Sequence, residues 1–167
     1  DGAGNEGVAT RKVTVSDTTA PTLALAGGAS VTHEGGTDYT DAGIVATDSF
    51  DGDLLSKVVV TGAVDITKLG EYTLTYNVSD AAGNAAVALT RKVTVVDTSA
   101  PVITLKGSAT TTVTKGDTYT DPGVTATDTF EGDLTSRVAV GGETVDTTVG
   151  RIYTITYNLS LIRISEP

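Results

Sequence analysis

The segment Arg11-Lys-Val-Thr-Val-Ser-Asp-Thr-Thr-Ala-Pro21 returns as Arg91-Lys-Val-Thr-Val-Val-Asp-Thr-Ser-Ala-Pro101, 80 positions further along the chain. At the same interval Tyr39-Thr-Asp-Ala-Gly43 returns as Tyr119-Thr-Asp-Pro-Gly123, and Ala46-Thr-Asp-Ser-Phe-Asp-Gly-Asp-Leu54 as Ala126-Thr-Asp-Thr-Phe-Glu-Gly-Asp-Leu134. Duplication accounts for this pattern. A period of that length exceeds a solenoid unit and suits a small domain with a core of its own. Cuts at the Asp-Thr-x-Ala-Pro elements give the final strand of a preceding domain at 1–17, a complete domain at 18–97 and a further one at 98–167. The last copy follows its sibling as far as Asn158 and then departs into Leu159-Ser-Leu-Ile-Arg-Ile-Ser-Glu-Pro167. It therefore reads as a domain that stops one strand early, and the tail carries no functional weight.

Alternation of apolar and polar residues marks the strands, expected near 22–25, 29–33, 43–47, 57–61, 63–66, 71–79 and 87–96. The two copies together assign the buried faces: Leu23 and Leu25 match Ile103 and Leu105, Ile44 and Ala46 match Val124 and Ala126, and Val58 and Val60 match Val138 and Val140. The strand from Glu71 to Ser79 sets Tyr72, Leu74, Tyr76 and Val78 on one face and leads through Ala-Ala-Gly-Asn84 into the next strand as a hairpin. A chain dominated by Thr, Val, Ala, Gly and Asp, without Cys, Met or Trp, favours strands and turns over helices. The expected fold class is all-β, a tandem of antiparallel sandwiches with about seven strands each.

Gly70-Glu-Tyr-Thr-Leu-Thr-Tyr-Asn-Val-Ser-Asp-Ala-Ala-Gly-Asn84, followed by the segment from Arg91 to Pro101, resembles the bacterial immunoglobulin-like domains. Such domains occur in tandem in surface adhesins and as appendages on secreted enzymes and pesticidal crystal proteins. The likeness spans roughly residues 1–158 and speaks for the fold, not for a ligand. Gly70 with Tyr72 also resembles the tyrosine corner of such sandwiches.

That topology implies that the linker entering a domain, the loop between its second and third core strands and its last hairpin loop share one end. Asp17, then Asp48, Asp51 and Asp53, then Asp80 and Asn84 would gather there, with Asp97, Asp128, Glu131 and Asp133 as the second set. Calcium takes six to eight oxygen ligands at roughly 2.3–2.6 Å in irregular geometry, and such residues could supply them. Asp48, Asp53 and Asp80 rank ahead of Asp51, and the second set is expected to be weaker because its final hairpin is replaced. Asp and Asn beside Gly are also ordinary turn formers, and the spacing does not follow the EF-hand pattern. Related adhesin modules carry calcium at their domain junctions, which the resemblance implies for this end.

With 21 acidic against 11 basic residues the formal net charge is −10, which repels nucleic acid and anionic membrane surfaces. No apolar run approaches the ~20 residues of a membrane span, so membrane insertion is not expected. The stretch starts at Asp1 without a signal peptide and is expected to be internal to a longer secreted or cell-surface protein. Catalysis is not expected: there is no thiol, His33 is the single histidine, and the acidic pairs recur at the repeat interval as structural elements do. His33 is expected at the surface, as are the loop residues Asp38, Asp41, Asp117 and Asp121 at the other end of each domain, and Phe50 and Phe130 are expected to plug a sandwich end. The function this implies is a structural spacer or stalk whose partners are neighbouring immunoglobulin-like domains. The alternative is a module that binds carbohydrate or a host surface protein.

Overall fold

The computed structural model describes residues 2–4 and 6–160, so Leu161–Pro167 of the divergent tail lie outside the described residues. The chain is all-β. The first copy supplies β1 (Thr22–Leu25), β2 (Ser30–Glu34), β3 (Ile44–Asp48), β4 (Gly52–Asp53), β5 (Val59–Thr61), β6 (Gly70–Asn77) and β7 (Leu89–Val96). The second supplies β8 (Val102–Leu105), β9 (Val124–Asp128), β10 (Gly132–Asp133), β11 (Ala139–Gly142) and β12 (Ile155–Asn158). Strand order is β1-β3-β4 and β2-β7-β6-β5 in the first copy, β10-β9-β8 and β11-β12 in the second, giving the sandwich-like layering that the alternation implies.

By backbone proximity the chain divides into two compact units, one of residues 1–31, 40–64 and 72–93 and one of 32–39, 65–71 and 94–167. In the first, Leu23 lies opposite Ala46 and Leu25 opposite Ile44 across the β1–β3 pair. Ile44, Ala46, Leu54, Leu74, Tyr76, Val78 and Val93 are buried. In the second, Ile103 and Leu105 face Ala126 and Val124 in the same register, and Val124, Ala126 and Leu134 are buried. Period-two alternation with one face inward produces this core: β3 and β9 both bury their first, third and fifth residues.

The structure departs from the sequence reading at several places, each for a local reason. Residues 63–66 form no strand, because Asp65 takes the amide and hydroxyl of Thr67 on one carboxylate oxygen and closes a turn with Lys68. Val60 and Val140 face outward, at 51% and 65% exposure, since β5 is the edge of its sheet and β11 belongs to a two-stranded one, and neither strand buries a face well. Tyr76 is buried, while Tyr72, Tyr153 and Tyr157 are half-buried. Tyr153 does reach back as a tyrosine corner would, its hydroxyl donating to the carbonyls of Asp146 at 2.7 Å and Val149 at 3.3 Å. His33 is half-buried, with its Nε2 at 3.0 Å from the carbonyl of Thr37 and its ring edge-on to Tyr39. In the segment preceding β1, Val8, Val13 and Val15 are exposed and no described residue is in a strand.

Asp41 is not a solvated loop residue. It accepts from the Tyr76 hydroxyl at 2.8 Å and pairs with the guanidinium of Arg91, which is 1% exposed. Arg91 also donates to the carbonyls of Gly28, Ala26 and Gly43, so one side chain from β7 ties together the turns after β1 and before β3. Each nitrogen of that buried cation donates to an oxygen, which is what makes its burial tolerable. In the second copy Asp121 instead takes the Tyr157 hydroxyl, 2.6 Å from each of its carboxylate oxygens, and the phenol pKa is pushed up to about 12 by that bond. Removing Asp41 strands the buried guanidinium. Asp41→Ala is therefore expected to cost about 3 kcal/mol in urea unfolding of the full chain, against a change within about 0.5 kcal/mol for Asp38→Ala at an exposed position.

Candidate metal centre

Asp48 ends β3, and its Oδ1 accepts the amides of Phe50 at 2.7 Å and Asp51 at 3.0 Å, which winds the chain into the β3–β4 hairpin. Gly52 completes the turn at φ +75°, a conformation that favours glycine. Asp80 opens the loop after β6, and both of its oxygens are bonded by Asn84: the amide to Oδ1 and the side-chain nitrogen to Oδ2, each at 2.7 Å. Asp17 precedes β1, and its Oδ1 accepts the amide of Thr19 at 2.9 Å. These three local turns bring one carboxylate oxygen each from Asp17, Asp48 and Asp80 within 4.8 Å of one another. Two oxygens on opposite sides of a calcium ion lie about 4.8 Å apart, so the spacing fits that ion.

The oxygens not used by the turns are the informative ones. Asp48 is 9% exposed, and its Oδ2 is buried without a hydrogen-bond partner, as is Oδ2 of Asp17. A buried carboxylate oxygen left unbonded is costly unless a cation compensates it. Burial alone would raise the Asp80 pKa, but the bonds from Asn84, Gly83 and Ala82 outweigh it and hold that carboxyl below its ordinary value.

The structure does not bring all the expected residues into this cluster. Asp53 accepts the Leu55 amide at 2.9 Å at the start of the 3-10 turn Leu55–Lys57 and stays exposed, outside the cluster despite its higher ranking. Asp51 accepts the Ala81 amide at 2.6 Å and braces the neighbouring loop. Asn84 turns its amide nitrogen, not its oxygen, toward the site, 3.3 Å from the Asp17 carbonyl.

In the second unit Asp97, Asp128 and Glu131 offer oxygens within 4.8 Å of one another. Asp128 repeats the turn of Asp48, accepting Phe130 at 2.8 Å and Glu131 at 3.1 Å on Oδ1, and its Oδ2 is again buried and unbonded. Asp133 caps Thr135 at 2.9 Å and stands outside the cluster as Asp53 does. Burial raises the Glu131 pKa, reinforced by its carboxyl bond to Asp128 and by the charges of Asp128 and Asp97. Asp128 itself is held low, its burial outweighed by the amides of Phe130 and Glu131. Here the longer acid reaches the cluster that Asp51 does not.

One carboxylate that the sequence reading passed over sits beside the linker. Glu34 accepts the Thr98 amide at 2.8 Å, the Thr98 hydroxyl at 2.6 Å and the Ser99 amide at 2.9 Å. A lone Glu at the end of a strand carries no signal for this.

Residues 23–95 and 103–161 match the family model described as bacterial surface protein, Ig-like domain. The chain belongs to this family. No curated protein matches it. Among solved structures it is similar to a lipoprotein from Bacteroides thetaiotaomicron, at 30% identity over 48% of this chain and 39% of that one, with a TM-score of 0.43. It is also similar to a Clostridium perfringens ZmpB structure of CBM51-2 in complex with GlcNAc and INT domains, at 24% identity over 53% of this chain and 21% of that one, TM-score 0.39. A third is the ZmpB M60 catalytic domain with its CBM51-1 and CBM51-2 domains, at 22% identity over 55% of this chain and 10% of that one, TM-score 0.39. The chain spans well under half the length of each of these proteins.

The bonds from Thr98 and then Ser99 lower the Glu34 pKa from 4.5 to about 2. A carboxyl held low in the folded state contributes stability that is present above its unfolded value and lost as pH falls through its folded one. Glu34→Gln is thus expected to lower the thermal midpoint of the full chain at neutral pH, with the difference from wild type shrinking between pH 4.5 and 2. A midpoint difference that does not change over that window would contradict it.

Proposed function

We propose that this chain is a non-catalytic spacer of an extracellular surface protein, in which a calcium ion at each acidic cluster ties the segment entering a repeat to the loops of that repeat. The observation that carries the reading is the pair of buried, unbonded carboxylate oxygens on Asp48 and Asp128, at the same turn in both copies. Asp17, Asp48 and Asp80 would hold the first ion and Asp97, Asp128 and Glu131 the second. A flip of the Asn84 amide would add its oxygen to the first. Each site joins a residue of the linker, Asp17 or Asp97, to residues of the fold it enters. Occupancy therefore restrains the linker. Three carboxylates without an ion repel one another, and neutralising them supplies the binding energy.

A carbohydrate-binding role has less support. Phe50 is exposed at a loop tip, but the tyrosines that would join it in a platform are engaged elsewhere: Tyr76 with Asp41, Tyr153 with two carbonyls and Tyr157 with Asp121.

An ion that binds only the folded state raises its stability, by about 2.7 kcal/mol at a hundredfold excess over the dissociation constant. Calcium is expected to raise the melting midpoint of the full chain and chelator to lower it. Asp48→Asn and Asp128→Asn should each remove part of the shift, and together all of it. A midpoint indifferent to calcium and chelator sinks the proposal.

A further inference from the structure

The two copies build the same aromatic tip. Asp48 and Asp128 hold the amides of Phe50 and Phe130 in matching turns, closed by Gly52 and Gly132 at φ +75° and +76°. The rings nevertheless meet different surroundings: Phe50 is 79% exposed, while Phe130 is half-buried.

What covers Phe130 is the turn Glu34-Gly35-Gly36 that follows β2. A Cβ placed on Gly35 would lie 2.6 and 2.9 Å from ring carbons Cδ2 and Cε2, and one on Gly36 would lie 2.3 Å from the Thr129 carbonyl oxygen. Both positions must be glycine for the ring and its backbone to sit so close, and Gly36 is also at φ +73°. The turn is anchored from behind, Gly35 donating to the Val96 carbonyl at 2.7 Å and Gly36 to that of Ile66 at 2.9 Å. Glu34 at its start grips the linker through Thr98 and Ser99. Ring, glycine pair and glutamate form one joint.

We propose that Phe50 is the open half of the same joint and receives the Glu-Gly-Gly turn of another copy of this repeat. Thr18 and Thr19, the counterparts of Thr98 and Ser99, are exposed beside Asp17 for the glutamate to grip. The occupant is selective. At the matching place the second copy has Thr114-Lys115-Gly116, in which a lysine replaces the glycine that the ring needs and a threonine replaces the glutamate. Copies of the Glu-Gly-Gly type accept an aromatic tip, and copies of the Thr-Lys-Gly type do not.

The joint is tested first in the full chain by a double-mutant cycle. Gly35→Ala lowers the melting midpoint, and Phe130→Ala added to it recovers part of the loss; Phe50→Ala is neutral. If Gly35→Ala is itself neutral, or its cost is unaffected by Phe130→Ala, the joint does not exist. The open half is read by Phe50→Trp fluorescence, comparing the full chain with a version lengthened by one further copy of residues 18–97 placed ahead of residue 18. The lengthened chain gives blue-shifted emission, and the shift disappears when Glu34→Thr and Gly35→Lys are made in the added copy alone, calorimetry showing that copy still folded. Emission that ignores the identity of the turn overturns the proposal. So does glycan binding by the full chain that Phe50→Ala abolishes, since the ring would then serve a sugar.

Discussion

A single carboxylate with two unequal oxygens organises the acidic end of each repeat. Oδ1 of Asp48, and of Asp128 in the second copy, is spent on two backbone amides and so sets the turn that carries the aromatic tip. Oδ2 is left buried and unbonded, and the carboxylate lies among acids from elsewhere in the chain. At this turn the second oxygen is left without the hydrogen bond that would offset its burial.

The two clusters differ by one methylene. Asp51 is short and bonds the Ala81 amide of the neighbouring loop. Glu131, at the same place in the second copy, is long enough to reach Asp97 and Asp128, and its pKa is raised first by burial and then by those two acids. The two copies of the repeat thus present acidic clusters of different composition, one completed by Asp80 from a hairpin and one by Glu131 from the turn itself.

Much of this was readable from the residues. The 80-residue period and period-two alternation located β3, β6 and β7 to within two or three residues, because strands with one buried face write their phase into the sequence. Val60 and Val140 misled because an edge strand alternates without burying either side fully. Asp53 and Asp48 both precede a turn, and only the fold reveals that Asp53 caps Leu55 whereas Asp48 points an oxygen inward. Arg91 went unrecognised although it shares the phase of Val93 and Val95, both buried. A charge in register with the core residues was the available signal, but its partner Asp41 lies 50 positions away and nothing local connects them.

The position of Arg91 in the chain bears on how a repeat comes to be closed. The side chain that ties the turns at Ala26, Gly28 and Gly43 arrives on the last strand, some 65 residues after the first of them. Chains emerge from synthesis with the N-terminal end leading. Until the final strand has appeared the earlier turns lack their clasp and Asp41 lacks its cation, so closure waits on completion. In the first copy, then, the clasp on these turns is the last part of the fold to be made.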